Sequence, residues 1–139
     1  MRTKSFILTF LMMMFCSIGF GQSGTGNHWN PDEHQYANNM DVIAIIEIDD
    51  VEQKTESLEV GAFCGTELRA SSRPMKAPML ENRYIVFLDI LGDEDDDLIT
   101  FKLYDHSQGI ELNYVIEKPI NFRFGQDPLG SVDAPYVLE

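Results

Sequence analysis

Five consecutive acidic residues, Asp93-Glu94-Asp95-Asp96-Asp97, are the densest chemistry in the chain. Asp93, Asp95 and Asp97 have the spacing that opens a calcium loop, where alternate carboxylates converge on one hard cation. The pattern then stops. Leu98 stands where such a loop needs glycine, and Tyr104 stands where it needs a bidentate glutamate, so an EF-hand is excluded. A looser calcium site recruiting Asp49 or Asp50 from another turn remains open. The plainer reading is a solvated acidic hairpin turn that discourages pairing at a strand edge.

Nucleophilic chemistry has less to work with. Cys64 could be paired on paper with His28, His34 or His106, but its neighbours fit no cysteine-hydrolase signature. A lone cysteine in a strand behaves as a small hydrophobe. There is no G-x-S-x-G elbow, no H-E-x-x-H and no C-x-x-C, so serine hydrolysis and transition-metal binding lack an anchor. The three histidines lie far apart in sequence and read as plain surface residues. The chain is therefore expected not to be an enzyme.

Flat side chains offer a different chemistry. Trp29, Tyr36 and Tyr104 are expected at the surface, where aromatic faces could stack on sugar rings; Tyr84 and Tyr114 fall on apolar faces and are expected in the core. Arg69 follows a tight turn closely, so its guanidinium is expected to donate to turn carbonyls or pair with an acidic loop. Gly61 and Gly65 are expected to serve close strand contact and a positive φ in the turn.

The elements that must position these groups read as strands. Met40, Val42, Ala44, Ile46 and Ile48 share one face of a period-two segment. Leu58–Phe63 and Leu68–Ser71 form a hairpin around Gly65. Tyr84–Leu91 is apolar on both faces and suits a central strand. Leu98–Asp105 sends Ile99, Phe101 and Leu103 inward. Ile110–Ile116, Ile120–Phe124 and Tyr136–Leu138 complete the set. Turn signals separate them, and Ser72–Asn82, with Pro74 and Pro78, reads as the longest irregular loop. Seven or eight short strands in one small domain predict an all-β fold, a two-sheet antiparallel sandwich of immunoglobulin-like type. Before the strands, Asn30, Pro31 and Glu33 have capping-box spacing and predict one helical turn in an otherwise flexible segment, 22–38, ahead of the sandwich at 39–139.

Ends and charge bound the compartment and partners. Arg2 and Lys4 precede an apolar run through Phe15, then small residues at Ser17, Gly19 and Gly21. This is the layout of a secretory signal peptide over 1–21, and it is too short to be a comfortable membrane anchor. Lipidation at Cys16 is the rival, disfavoured by Phe15 where the peptidase needs a small residue. With Cys16 in the leader, Cys64 is alone and no intrachain disulfide is available. The formal net charge is −13. Such a surface repels phosphate backbones and anionic headgroups, so neither nucleic acid nor a membrane surface is expected as a partner. No second apolar run is long enough for an integral span.

In order, the pieces Trp29, Asn39-Met40-Asp41-Val42-Ile43-Ala44, Val60-Gly61-Ala62-Phe63-Cys64-Gly65 with Arg69, Ile99-Thr100-Phe101-Lys102-Leu103-Tyr104-Asp105, and Leu129-Gly130-Ser131 with Pro135 form a set. Together they resemble a β-sandwich module of secreted and surface proteins of Gram-negative bacteria, with Ala70 where that pattern often has glycine. The resemblance implies a non-catalytic module, commonly found beside other domains in large exported proteins. The resulting expectation is an exported, extracellular, surface or periplasmic module for protein interaction, adhesion or assembly. A carbohydrate-binding module using Trp29, Tyr36 and Tyr104 is the alternative, and a calcium-dependent adhesive domain using Asp93, Asp95 and Asp97 comes third.

Overall fold

The computed structural model describes residues 26–114 and 116–139. The signal peptide expected over 1–21, Cys16 within it, and residues 22–25 lie outside the described residues. Ten strands follow one another: β1 (Asn38–Ile48), β2 (Val51–Glu52), β3 (Leu58–Cys64), β4 (Glu67–Ser72) and β5 (Met75–Ala77), then β6 (Arg83–Gly92), β7 (Leu98–Asp105), β8 (Ile110–Glu111), β9 (Ile120–Asn121) and β10 (Tyr136–Leu138). They make two five-stranded sheets. The first has the order β10-β1-β6-β5 with β2 on β1; the second has β4-β3-β7-β8 with β9 on β7. The fold is a two-sheet β-sandwich in which all strand pairs but one are antiparallel. The exception is β10, which runs parallel to β1. Among the described residues no helix is long and apolar enough to cross a membrane.

Period two dictates the core. Val42, Ala44 and Ile46 of β1, Val86, Leu88 and Ile90 of β6, Leu58, Val60 and Ala62 of β3, and Ile99, Phe101 and Leu103 of β7 meet between the sheets. Each comes from one face of its strand, and burial of those faces drives the two sheets together. Phe122, fully buried, plugs one end.

Several expectations are corrected. Residues 30–33 form no helical turn. The Asp32 carboxylate instead accepts from His34 N at 3.1 Å, and Asp32 O accepts from Gln35 N at 3.2 Å, closing a single turn. An aspartate that captures its own following amides competes with helix propagation. The Ser72–Asn82 loop is not irregular throughout: β5 pairs Met75 with Ile85, and a 3-10 turn occupies Pro78–Leu80. Pro74 lies between β4 in one sheet and β5 in the other, so this stretch is a corner. The segments after Ile110 and after Ile120 pair over only two residues each. Tyr84 is half-buried and outside the main core, whereas Tyr114 packs against it.

Leu129-Gly130 has a specific task. Leu129 N donates to Asp41 O and Ile43 N donates to Leu129 O, both at 2.9 Å, so Leu129 bridges β1 in parallel ahead of β10. Gly130 has φ +79°, and a Cβ there would lie 2.6 Å from Tyr136 N and press on Ile43 O. Only glycine meets both demands.

Candidate functional site

Two polar clusters emerge, one on the outer face of the second sheet and one at the end of the sandwich. The first is built on β3. Its inward residues join the core, leaving Glu59, Gly61 and Phe63 on the outer face, yet all three are buried. Residues 26–37 form a strap whose His28 and Trp29 cover them. Glu59 is fully buried and accepts four hydrogen bonds. Its Oε1 receives His28 N at 2.6 Å and faces His106 Nε2 at 2.7 Å. Its Oε2 receives Trp29 N at 2.8 Å and Ser71 Oγ at 2.5 Å. Burial alone would raise this carboxyl's pKa, but the bonds from Ser71, the two strap amides and His106 outweigh it and hold it below the ordinary value. Ionised, Glu59 is an acceptor only, so His106 Nε2 is the donor.

Trp29 then settles on the space Gly61 leaves. A Cβ at Gly61 would approach the indole to 2.7 Å and Phe63 to 2.8 Å. The indole meets Phe63 edge-on (5.6 Å between centroids) and Tyr104 edge-on (6.1 Å). His28 stacks flat on Tyr104, with centroids 3.8 Å apart and planes 5° from parallel. Tyr104 in turn meets His106 at 4.9 Å. Two histidines expected as plain surface residues are therefore structural parts of this cluster, although the ring of His28 remains accessible.

The second cluster is centred on Arg69. Between Ala62–Ala70 and Phe63–Leu68 the β3–β4 ladder shifts register, and Arg69 is the extra residue of that bulge. Its buried guanidinium donates from Nη1 to Leu91 O at 3.1 Å and from Nη2 to Glu67 Oε2 at 3.1 Å; Asp97 Oδ2 lies 3.4 Å from Nη2. Tyr36 lies under it, 4.4 Å from the guanidinium carbon to the ring centroid. Burial works against the charge, but Glu67, Tyr36, Cys64 and Asp97 more than compensate, so its pKa is raised and it stays cationic. Burial likewise raises the Tyr36 phenol, against the pull of Arg69. Gly65, at the first of the two loop residues of the β3–β4 hairpin, has φ +60°.

The proposed ligand residues are thus divided. Trp29 and Tyr104 are together, but Tyr36 belongs to the arginine cluster, and all three are half-buried, not exposed. The proposed calcium residues are dispersed in a different sense. Asp93 Oδ1 accepts from Ala37 N at 2.8 Å, Asp95 Oδ1 from Phe124 N at 3.2 Å, and Asp97 faces Arg69. Each carboxylate ties down a different chain segment. Among the described residues, the acidic group close enough to share an ion is Glu47, Asp50 and Glu139. Lys118 already pairs with Glu139 there. Cys64 is half-buried against the core, in keeping with a small hydrophobe.

The residue that the alternation misplaces is Glu59. Period two puts it on an outer face, hence in solvent. Its burial depends on a strap whose contacts span about thirty positions in sequence. No family model, curated protein or solved structure matches the chain.

Proposed function

We propose that this chain is an exported, non-catalytic β-sandwich module that acts by binding another protein. One observation carries the reading: the charged side chains at the centres of its two polar clusters are engaged with the chain itself, while large apolar side chains face solvent. Glu59, His106 and Arg69 bind strap, strand and turn. Met75, Met79, Phe87 and Ile110 are instead 63%, 96%, 46% and 49% exposed. Apolar groups displayed on strands and at a sheet edge are the raw material of protein interfaces. The glycan alternative is weakened because Gly61, Phe63 and Tyr104 already occupy Trp29.

The test is site-specific photo-crosslinking in the exporting host. A benzophenone side chain replaces Met75, Met79 or Ile110 in turn. A discrete protein adduct from at least one position is the expected result. No adduct from any position, combined with glycan-array binding that Trp29→Ala abolishes, would replace the proposal with a carbohydrate-binding one.

A further inference from the structure

The outer faces of the two sheets differ. On the second, the strap covers the outer side of β3 and leaves Thr100 and Lys102 of β7 exposed. On the first, β1 and β6 pair Asp41 with Asp89 and Ile43 with Phe87, and β5 adds exposed Met75; Ile45 and Ile85 on the same face are buried. Residues directly opposite on one face stand about 5 Å apart at Cβ, and like charges in that relation repel. Two carboxylates therefore face each other in solvent. Among the described residues no arginine, lysine or histidine forms an ion pair with either. Asn39 Nδ2 donates to Asp89 at 2.6 Å, which eases one charge without neutralising it. Immediately beside the carboxylates is a shallow depression lined by Ile43, Phe87, Leu88 and Pro128.

We propose that this face, centred on Ile43 and Phe87 and flanked by Asp41 and Asp89, docks a protein segment presenting an apolar side chain next to a lysine or arginine. The inference rests on the interaction-module reading above and gives the partner its chemistry. An apolar side chain fills the depression and covers Phe87. The adjacent cation lies between the carboxylates and turns a repulsion into two attractions. The strongly negative molecule draws such a partner in from a distance.

The probe is a library of random peptides displayed on phage, selected on the exported chain with its leader removed. Recovered peptides are expected to place Leu, Ile, Met or an aromatic residue beside Lys or Arg. Binding is expected to fall about tenfold in the Asp41→Asn/Asp89→Asn double variant, and to weaken in high salt. Phe87→Ser is expected to weaken it by a similar factor. The double variant is nearly isosteric and keeps the fold, so its result stands even if Phe87→Ser loses stability. The partner-free protein gives an independent readout. Asp41→Asn removes one of two opposed charges and is expected to raise the melting midpoint; a lowered midpoint removes the charge argument.

Recovered peptides that lack a basic residue, or that bind the double variant as tightly as the parent, overturn this face as the docking site. The module reading survives that result if the crosslinking experiment gives adducts. Recovery of no peptide also overturns the face, and with no adduct from any position it overturns both.

Discussion

Replacing Glu59 by glutamine exchanges one oxygen for an NH2 group and removes one charge, and the consequence can be worked out bond by bond. Each carboxylate oxygen receives one strap amide and one side-chain donor. An amide offers one oxygen and one NH2. If the NH2 takes the Oε2 position, Ser71 can rotate to accept, but Trp29 N then faces a donor. If it takes the Oε1 position, His106 can change tautomer, but His28 N is stranded instead. Either way one backbone N–H loses a charge-assisted bond. Such bonds contribute roughly 1.5–3 kcal/mol, and a stranded donor costs about 1–3 kcal/mol. Relief from dehydrating a buried charge offsets part of this. The expected net loss is about 2 kcal/mol for Glu59→Gln, and about 4 kcal/mol for Glu59→Ala, which strands all four donors. In urea that places the Glu59→Gln midpoint about 1 M lower. Trp29 is the sole tryptophan and belongs to the strap, so its fluorescence reads strap release separately from sheet unfolding followed by circular dichroism. Red-shifted emission preceding the loss of sheet signal is expected in Glu59→Ala. A midpoint within about 0.3 M of the parent, with unchanged emission, would refute the claim that Glu59 holds the strap.

The same carboxylate fixes a pH dependence. Its folded pKa lies below the ordinary 4.5, as Asp105's lies below 3.8 through its bonds from Ser107, so the stability they contribute is fully present above those ordinary values. It is lost as pH falls through the lowered folded values, and Glu59→Gln should flatten that acid limb in a pH series of urea melts. Gly130→Ala should cost about 3 kcal/mol, from a strained positive φ together with overlap on β1 and Tyr136, measured by the same melts. Arg69→Lys keeps the charge but loses the fork that reaches both Leu91 O and Glu67, and should cost about 1–3 kcal/mol; a neutral result would show that Arg69 does not brace the end of the sandwich.

The core was readable because alternation and burial obey one rule. Val42, Ala44 and Ile46, or Ile99, Phe101 and Leu103, announce their face before any partner is known. Glu59 breaks that rule for a physical reason. A strand has two faces, and the sequence of β3 says which is apolar, not whether another segment will cover the polar one. Gly61 carried a faint signal, a side chain missing on the same face as Glu59, but the indole that fills the space lies thirty-two positions earlier. Arg69 was easier, since an arginine beside a tight turn has few places to reach. The acidic run misled in the opposite direction. Its spacing suggested convergence, whereas Asp93, Asp95 and Asp97 bond to Ala37 N, Phe124 N and Arg69 in three separate segments. The pairing of β10 with β1 could not be read at all, because parallel neighbours distant in sequence leave no local mark.

That last pairing governs how the molecule must be assembled. Among the described residues, one edge of β1 is occupied only by Leu129 and by residues 136–138, contributed some ninety positions later. While the chain is being delivered, that edge offers open backbone groups to any strand it meets. Closure waits for distant segments, and non-local pairing of this kind slows folding. A product interrupted before Leu129 retains most of the hydrophobic interior but none of this edge's cover, and its expected fate is intermolecular sheet growth.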